Sequence, residues 1–545
     1  MQKVLTAAQM REVDRLTTER YGIPSIILME NAAHAVARVI TEKLGGSVKG
    51  KSILILCGKG NNGGDGAALA RLLGLAGAFV DVVLLGRIKE TKGDARTNLG
   101  VLCSEDFRYT DLYSSEFCLL REVNSKEEWN QVQIQLFDGL DVIVDAIFGT
   151  GLARPVEIWV YNIIHEINFL NDDIDPRRSR LKVAVDIPSG LSADSGAELD
   201  IALRSDVTVT FTAPKAGNIL PGSCGFNGEL VVASIGSTQE LIDDQPSDLF
   251  LAGREDAVDW LRASEFSDSS YKNKRGHALV IAGSETYSGA AVLAGNAAIR
   301  SGVGLMTLGC PPEAKTEIAS RILPEVILAT LGSKEFDELA PKANAVAVGP
   351  GLSATDPEIE SLVRKIVEER TTPVIVDAGA LWFLNQPAGI PKDADRNVRV
   401  PLILTPHEGE FMRLLGSDDK EVIKDRVAAV REFAQNNNVI VVLKGERVLI
   451  GHPDGRVVVN PTGNSGLGKA GNGDTLTGIL AGFCAQAAAM DIDIFETVVA
   501  AVYIAGLAGD IAEKKYGKRV MTASDVRECL TDAFAEVEND LANGY

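Results

Sequence analysis

Short, continuous apolar runs alternate with helix-like stretches along most of this chain. From Lys51 the runs are SILILC, FVDVVLL, DVIVDAIFG, LKVAVDIPSG and VTVTFTA. Continuous runs of this kind indicate strands buried on both faces, as in a parallel sheet covered by helices on either side. A second series follows, with HALVIAG, GLMTLGC, AVAVGPG, PVIVDAG, LILTPH and NVIVVLKG. The pattern predicts the α/β class, with helices forming right-handed crossovers between parallel strands.

The chain is long enough for more than one domain. It has 545 residues, whereas single hydrophobic cores rarely grow beyond about 250–300 residues. Between the two series of runs, residues 234–249 read SIGSTQELIDDQPSDL, where apolar periodicity gives way to acids and turn formers. We therefore predict two α/β domains, spanning roughly 1–240 and 250–545.

Charge and cysteine usage limit the partners and the compartment. The net charge of −21 disfavours a nucleic-acid partner, because such a partner requires a broad basic surface. The 7 cysteines form no C-x-x-C pair, which favours a reducing compartment and gives no zinc-site spacing. The N-terminus has a helical pattern with a Thr6–Gln9 capping box rather than a signal peptide. With no apolar run of about 18 residues or more, we predict a cytoplasmic protein without a membrane span.

The first candidate site is the glycine-rich stretch GKGNNGGDG, residues 58–66, between a strand and a helix expected over 66–77. Glycine allows close backbone approach to a ligand, and free N–H groups at a helix N-terminus attract anions. Gly58, Gly60 and Gly63 fit G-x-G-x-x-G, the spacing of dinucleotide-binding dehydrogenases. A dehydrogenase, however, needs an acidic residue at the end of its second strand. Here that end carries Gly86 and Arg87, which argues against a dehydrogenase.

Further polar residues follow later strands of the same half. VDAIFGTGLARP places Asp145 at a strand end, and VDIPSG does the same for Asp186, with Ser189 nearby. Ligands of open α/β sheets bind at this edge. The two carboxylates, an asparagine and a hydroxyl could bind a monovalent cation or supply an acid and a base. Each aspartate, and Asp65 at the expected helix start, could instead cap a turn or a helix.

In order along the chain, MENAA, the Asn-Gly-Asp loop, DAIFGTG, DIPSG and VTFTAPKAG resemble the YjeF N-terminal family, the NAD(P)H-hydrate epimerases, over nearly all of 1–240. The resemblance implies a Rossmann-like three-layer αβα sandwich whose glycine loop wraps the phosphates of a damaged dinucleotide. It implies a potassium ion on Asn62, Asp145 and Ser189, and Asp186 and Asp145 are candidates for proton handling. The implied substrate-lining residues are Asn61, Asn62, Gly63, Gly64, Asp65, Gly149, Thr150, Gly151, Leu152, Ala153, Arg154, Pro155 and Asp186.

The second candidate site is the stretch NPTGNSGLGKAGNGDTLTGILAGF. It places Gly471, Gly473 and Asp474 just before an expected helix, where amides and the helix dipole would face phosphate oxygens. Asp474 could be a general base for a substrate hydroxyl or could help to bind the metal of a nucleotide. Three other polar residues follow strands, and each has a structural alternative. His407 could be a satisfied structural histidine, Glu410 a first-turn residue of a helix, and Lys444 a solvated strand-end charge.

As a set, AGSETYSGAA, VGPGL, VDAGAL, TPHEGEF, LKGERVLI and GNGDTLTG resemble the YjeF C-terminal family over about 270–510. These are NAD(P)H-hydrate dehydratases with a ribokinase-like αβα fold. The resemblance implies that Ala290, Gly351, His407 and Asp474 contact the hydrated dinucleotide. The implied adenine-nucleotide residues are Lys444, Gly445, Glu446, Arg447, Val448 and Gly473. The chain departs from many relatives in having KGERVLI where they have a threonine shortly after KG.

With both halves present, the chain resembles the fused members of this family. The resemblance implies that the first domain interconverts the R and S epimers of hydrated NADH and NADPH, and that the second dehydrates the S form. ADP with Mg²⁺ would phosphorylate the ring hydroxyl, with Asp474 as the base, and a homo-oligomer is expected. Two other functions are a small-molecule kinase, since ribokinase-like folds mostly phosphorylate hydroxyls, and a non-enzymatic RNA-processing scaffold. Neither accounts for both sets of polar residues.

Overall fold

The computed structural model describes residues 1–103, 118–152, 154–170, 180–385, 389–391 and 400–543. Ala153, one of the substrate-lining candidates, lies outside the described residues. The chain divides into two compact units. One comprises Gln2–Ser247, and the other comprises Asp248–Tyr545 together with Met1.

The first unit is built on a parallel sheet with helices on both faces. The strands of this sheet are β2 (Ser52–Cys57), β3 (Phe79–Leu85), β4 (Cys118–Val123), β5 (Val142–Ala146), β6 (Leu181–Val185), β7 (Val207–Phe211) and β8 (Glu229–Ala233). The short strand β1 (Gln2–Lys3) lies outside this sheet. Its helices are α1 (Ala7–Tyr21), α2 (Ser25–Lys43), α3 (Asn61–Leu75), α4 (Gly93–Leu102), α5 (Lys126–Phe137), α6 (Ile158–Asn168), α7 (Ala216–Ile219), α8 (Cys224–Asn227) and α9 (Gln239–Asp243). The sheet order is β4-β3-β2-β5-β6-β7-β8, and every neighbouring pair is parallel.

The continuous apolar runs are explained by a sheet that is covered twice. In β2, Ile53, Ile55 and Cys57 enter a core cluster with α2 and α3. Leu54 and Leu56 point to the other face and enter a cluster with α5 and α6. Both faces of the strand are buried, so each position must be apolar.

The glycine-rich helix begins earlier than expected from the sequence. The sequence predicts a helix over 66–77, but α3 starts at Asn61 after the N-cap residue Gly60. Asp65 therefore lies inside α3, and the alternative that it caps the helix is wrong. Helix propensity misplaces this start because tertiary packing overrides the glycines, as the site geometry below explains.

The second unit contains a larger, mixed sheet. Its strands are β9 (Leu249–Leu251), β10 (His277–Ile281), β11 (Leu305–Cys310), β12 (Ile327–Thr330), β13 (Ala345–Val348), β14 (Val374–Val376), β15 (Leu402–Leu404), β16 (Ile440–Leu443), β17 (Val448–Gly451) and β18 (Val457–Asn460). Its helices are α10 (Arg254–Ala263), α11 (Ser288–Arg300), α12 (Lys315–Ala319), α13 (Lys334–Leu339), α14 (Pro357–Glu368), α15 (Glu408–Leu414), α16 (Arg426–Asn437), α17 (Asn472–Met490), α18 (Ile494–Tyr516) and α19 (Ala523–Asn543).

The strands of this unit follow the order β9-β18-β17-β16-β15-β14-β13-β10-β11-β12. The pairs from β12 through β16 are parallel, whereas β17 pairs antiparallel with both β16 and β18. The main core lies under α17 and α18, where Phe483 and Val499 meet Ala278 and Val280. The α/β fold class with parallel sheets is confirmed, and the antiparallel β17 and β18 are additions that the sequence patterns did not reveal.

Among the described residues, one helix, α18, is long and apolar enough to cross a membrane. In the structure 67% of its apolar window is buried, and α18 packs against α17 and α19. A buried core helix passes the same test of length and composition, so α18 is weak evidence for a membrane span.

Candidate active sites

The first site lies at the carboxyl ends of β5, β6 and β7. Asp186 directly follows β6, and Lys215 lies four residues after the end of β7. Lys215 Nζ donates a hydrogen bond of 2.6 Å to Asp186 Oδ1, and it also bonds Thr210 Oγ1 at 2.8 Å and the Phe211 carbonyl at 3.0 Å. The lysine side chain is only 1% exposed. A buried ammonium is stable only when it is paired and hydrogen-bonded, as it is here.

The backbone at Asp186 is held in an unusual conformation. Its φ of 67° lies in the left-handed region, which is uncommon for a residue other than glycine. Thr210 Oγ1 donates to its carboxylate at 3.1 Å, and Asn218 Nδ2 donates to its main-chain carbonyl at 3.1 Å. These contacts fix the carboxylate at the sheet edge, and strained residues of this kind concentrate at functional sites.

Two more carboxyls face this ion pair. Burial raises the pKa of Asp14 to about 6, with Lys215 opposing the rise and Asp186 adding to it. Burial also raises the pKa of Asp65 well above its ordinary value, and the negative charges of Asp186 and Asp14 act in the same direction. The site therefore brings one lysine together with three carboxyls, and the pKa of two of them, Asp14 and Asp65, is raised above the ordinary value.

Asp145 occupies a different environment from Asp186. Its side chain is fully buried, and it accepts hydrogen bonds from Ser189 N at 2.7 Å, Ser189 Oγ at 2.6 Å and Ile147 N at 3.2 Å. Burial raises the pKa of Asp145 to about 6, although these hydrogen bonds act to lower it. Within the described residues the donors to Asp145 are neutral, so this carboxylate has a place for a cation.

The residues implied for a potassium ion fit such a site. Oxygen atoms of Asp145, Ser189 and the Phe148 carbonyl lie close together, since Ser189 Oγ is 3.3 Å from Phe148 O. The amide of Asn62 is buried nearby against Gly149, and its Nδ2 has no hydrogen-bond partner among the described residues. Carbonyl and carboxylate oxygens are the ligands that alkali ions accept. The donor chemistry is therefore suited to a monovalent cation.

The glycines of the 58–66 stretch mostly serve packing within the protein. A Cβ at Gly58 would lie 1.9 Å from the Ile147 carbonyl oxygen, and one at Gly63 would lie 1.9 Å from the Gly58 carbonyl oxygen. A Cβ at Gly64 would lie 2.8 Å from Met29 Cε, and one at Gly66 would lie 2.7 Å from Ala146 Cβ. Only Gly60, among these five, has open space around it. Close helix–strand packing therefore requires glycine at four positions, and ligand approach could require it at Gly60.

This difference predicts unequal effects of two alanine substitutions. Gly63→Ala should lower the free energy of unfolding of the first unit by about 3 kcal/mol, the upper end of overpacking costs, because backbone must move. Gly60→Ala, at the N-cap of the same helix, should cost less than about 1 kcal/mol. Urea unfolding followed by tryptophan fluorescence would measure both. Equal losses for the two variants would contradict this account of the glycines.

The remaining epimerase candidates lie in the loop after β5. Leu152 N donates to the Gly149 carbonyl at 3.3 Å, and Leu152 packs against the core on the α5–α6 face. Gly151, Arg154 and Pro155 are exposed, and Thr150 is half-buried. The structure thus brings Gly149 to Asn62 and leaves most of the loop open to solvent beside the site.

The second site is a cavity of about 820 Å³ in the second unit. The candidate residues that line it are His407, Lys444, Gly445, Glu446, Val448, Gly473 and Asp474. Among the described residues, Arg447, Ala290 and Gly351 are not in its wall. Arg447 turns away to bond the Pro461 carbonyl. Gly351 packs on Ala290, with a φ of +68° and a Cβ position 2.9 Å from the alanine methyl.

A buried ion pair lies at one end of this cavity. Lys444 Nζ donates to Asp377 Oδ1 at 2.8 Å, and Thr477 Oγ1 donates to Asp377 Oδ2 at 2.7 Å. Burial opposes the charged form of Lys444, but the carboxylates of Asp377, Glu410 and Asp474 outweigh it and raise the pKa of the amine. The alternative of a solvated strand-end lysine is therefore wrong, since Asp377 is 1% exposed and holds the ammonium in place.

Asp474 lies in the first turn of α17, whose N-cap is Gly471 with a φ of +92°. Burial raises the pKa of Asp474 to about 6, the charge of Asp377 adds to the rise, and Lys444 opposes it. Lys444 also lies close to the adjacent turn, since a Cβ at Gly473 would be 3.4 Å from its Nζ. A carboxyl with a pKa near neutrality, in a cavity and beside a fixed cation, is suited to general base catalysis.

His407 combines a structural role with an accessible ring. It is the N-cap of α15, where its Nδ1 accepts from Gly409 N at 3.0 Å and from Glu410 N at 3.3 Å. Glu410 completes the capping box by accepting from His407 N at 2.8 Å. His407 and Glu410 therefore have the structural roles named as alternatives, as the N-cap and a first-turn residue of α15. Both residues also line the cavity.

The sequence patterns did not single out Asp14, Lys215 or Asp377. A strand-end position could have identified Asp377, which directly follows β14, and the quoted VTFTAPKAG stretch contains Lys215. Nothing in the sequence marked Asp14 as a functional residue, because it is one of several polar residues in an amphipathic helix.

Comparison with known proteins places these sites in a family context. Residues 25–217 match the model described as YjeF-related protein N-terminus, and residues 278–532 match that of NAD(P)H-hydrate dehydratase. The bifunctional NAD(P)H-hydrate repair enzyme of Moorella thermoacetica is 36% identical over 99% of this chain and 98% of its own length. The chain belongs to the family of bifunctional NAD(P)H-hydrate repair enzymes.

Other members and one solved structure show a similar relation. The repair enzyme of Pyrobaculum aerophilum is 35% identical over 96% of this chain and 97% of its own. A crystal structure of the ADP/ATP-dependent NAD(P)H-hydrate dehydratase from Bacillus subtilis, co-crystallised with ATP and Mg²⁺, is 33% identical. It covers 53% of this chain and 98% of that chain, with a TM-score of 0.46. The two repair enzymes, which match nearly the full chain, confirm the family membership that the motifs indicated.

Proposed function

We propose that the protein repairs hydrated NADH and NADPH. The first domain, about 1–240, interconverts the R and S epimers, and the second, about 250–545, dehydrates the S form at the expense of ADP. Full-length similarity to repair enzymes supports both halves together. The structural observation that carries the dehydratase half is Asp474, half-buried in the cavity wall beside Lys444 with a pKa raised to about 6.

In the dehydratase, Asp474 takes the proton of the ring hydroxyl while the hydroxyl oxygen attacks the terminal phosphorus of the nucleotide. The phosphoanhydride bond to that phosphorus breaks, and AMP leaves with the bonding electrons when ADP is the donor. The carbon–oxygen bond then breaks, phosphate leaves with the bonding electrons, and the ring nitrogen lone pair forms a carbon–nitrogen double bond. Loss of a proton from the neighbouring carbon regenerates the dihydronicotinamide. Lys444 and the amides at the start of α17 suit the negative charge on the phosphate oxygens. Mg²⁺ bound with the nucleotide would neutralise its phosphate oxygens, and such an ion would need only one or two carboxylates from the protein.

The contacts proposed for the ligands follow the family resemblance. Ala290, Gly351, His407 and Asp474 would contact the hydrated dinucleotide, and the segment 444–448 with Gly473 would hold the adenine nucleotide. The cavity lining supports most of this set. Ala290 and Gly351 would extend the substrate site beyond that wall.

In the first domain we propose a potassium ion held by Asn62, Asp145 and Ser189. A bound cation would neutralise the buried Asp145 carboxylate and fix the turn that carries Phe148 and Gly149. The residues 61–65, 149–155 and Asp186 would then line the hydrated ring and its phosphates.

Replacing potassium by choline at constant ionic strength should therefore lower both the epimerase rate and the unfolding temperature of the first unit. Asp145→Asn should weaken both responses, because the neutral amide attracts a cation less strongly. Calorimetry and an epimer-interconversion assay would provide the two readouts. A protein with the same unfolding temperature and rate in both salts would contradict the potassium site.

The proposed function is tested by absorbance at 340 nm on a mixed-epimer preparation of hydrated NADH with Mg²⁺ and either ADP or ATP. Complete recovery of the NADH band is the expected result, faster with ADP. Recovery that stops when the S form is consumed would contradict the epimerase half. No recovery with either nucleotide would contradict the dehydratase half and favour a kinase of another alcohol.

We also propose that the enzyme is a cytoplasmic homo-oligomer that binds no nucleic acid. The net charge of −21 supports the last point, because a phosphate backbone would be repelled. Light scattering coupled to size-exclusion chromatography would give the oligomeric state, and a monomer at micromolar concentration would contradict it.

A further inference from the structure

The epimerase half leaves open which group moves the proton. Loss of the ring hydroxyl needs a proton donor, because hydroxide is a poor leaving group and water is a good one. The carbon that carries the hydroxyl can then accept water on its other face. A suitable donor must have a pKa raised toward neutral pH, border the site and have an oxygen available for a new hydrogen bond.

The carboxylates already named at this site are poor donors. Asp145 is fully buried, and both its oxygens accept hydrogen bonds from Ser189 or Ile147. Oδ1 of Asp186 already accepts hydrogen bonds from Lys215 Nζ at 2.6 Å and from Thr210 Oγ1 at 3.1 Å. Asp145 positions Ser189, and Asp186 pairs with Lys215.

Asp14 reaches the site from helix α1. Its neighbours Met10, Val13 and Thr17 are buried, so this side of the helix faces inward. Oδ1 of Asp14 is itself buried and accepts no hydrogen bond from any described residue. The segment before α1 is tied to the lysine loop, since Leu5 N donates to the Pro214 carbonyl at 2.9 Å, next to Lys215. Lys215, Asp186 and Asp65 are the charged groups that face Asp14.

We propose that Asp14 is the proton donor of the epimerase site. This inference rests on the proposed function of the first domain. Protonated Asp14 gives its proton to the ring hydroxyl, the carbon–oxygen bond breaks with its electrons leaving on water, and the ring nitrogen lone pair forms a carbon–nitrogen double bond. Water then adds to the opposite face, the double-bond electrons return to nitrogen, and the ionised Asp14 accepts the proton that the adding water releases.

The other charged groups then have separate roles. Lys215 holds Asp186 and limits the charge that develops when Asp14 ionises, and the charge of Asp14 in turn helps to raise the pKa of Asp65, which lies in α3 beside Asn62. The structure supplies every proton that the exchange needs, and no oxidant or reductant takes part.

The test measures interconversion of separated epimers by chromatography, in the absence of nucleotide, with the uncatalysed rate subtracted. We expect Asp14→Asn to lower kcat by about 10²-fold or more, the range of general acid catalysis, and Asp14→Glu to restore part of it. Glu12→Gln is the matched control, because Glu12 lies on the same helix in a surface pair with Arg15, and it should retain the wild-type kcat.

Three further readouts separate catalysis from a structural role. The unfolding temperature of Asp14→Asn should be unchanged or raised, because a buried carboxylate has been removed. The wild-type kcat should fall as pH rises through about 6, where Asp14 loses its proton, and Glu12→Gln should keep this limb. The dehydratase rate on the S form, with nucleotide, should be unchanged in every variant.

Each alternative result has a distinct meaning. A wild-type protein that does not accelerate interconversion would contradict the proposed function itself. If the wild type is active, an Asp14→Asn variant with a kcat within twofold of it would overturn this inference alone. A loss of kcat in Asp14→Asn that comes with a marked fall in unfolding temperature, and that Asp14→Glu does not recover, would also overturn it. That pattern indicates a purely structural role.

Discussion

Asp474→Asn should lower the dehydratase kcat by about 10²–10⁴-fold, the usual contribution of a general base, with little change in KM. The amide has nearly the same shape but cannot accept the hydroxyl proton. Burial raises the pKa of Asp474 to about 6, so at pH 7 most of the enzyme carries the ionised form that the step requires. The wild-type rate should therefore fall as pH drops below about 6, and a steady-state pH profile at 340 nm would measure this.

The same helix supplies a matched control for this prediction. Asp491 is the C-cap of α17, with a φ of 59°, a conformation that asparagine also tolerates. Asp491→Asn should therefore keep both the dehydratase rate and the stability. The unfolding temperature of the second unit should be unchanged in both variants, which would show that the unit carrying the substitutions is folded. An Asp474→Asn enzyme that retains a tenth or more of the wild-type kcat would contradict the assignment of the base.

Lys215→Met should destabilise the first unit by about 3–5 kcal/mol, the usual cost of removing one partner from a buried ion pair. The lysine is 1% exposed, and its loss leaves Asp186 without a counter-ion. Asp14 and Asp65, which its charge also stabilises in their ionised forms, would shift further toward protonation. Denaturant unfolding of the wild type and the variant would measure the difference.

Two companion variants test the cause of this loss. Lys43→Met removes a surface pair with Glu229 and should change the free energy of unfolding by no more than about 1 kcal/mol. The double variant Lys215→Met, Asp186→Asn should recover part of the lost stability, because no uncompensated charge then remains at that position. A double variant less stable than Lys215→Met alone would show that the hydrogen bonds matter more than the charges.

Much of the fold could be predicted because its signals are local. The runs over 52–57 and 79–85 coincide with β2 and β3, since a strand buried on both faces is apolar along most of its length. The start of α3 could not be predicted in this way. Glycine lowers helix propensity, but here Gly58 and Gly63 are fixed by close contacts with Ile147 and with each other.

In the candidate sites, too, the sequence predicted some features and the tertiary structure decided others. Strand-end positions pointed to Asp145, Asp186 and Lys444, because parallel strands place their carboxyl ends at one edge. Whether such a residue is solvated, capped or paired depends on distant parts of the chain. Lys444 pairs with Asp377, which lies 67 residues earlier, and this contact alone excludes the solvated alternative.

By itself, the sequence determined the α/β class, the sheet edges that carry the sites and, through its ordered motifs, the family. Only the tertiary structure decided which polar groups meet and how they titrate. Asp14 comes from a helix near the N-terminus, whereas Lys215 and Asp186 come from loops after distant strands. Their shared burial sets the pKa of Asp14. Periodicity depends on neighbours in the chain, but desolvation and ion pairing depend on neighbours in space.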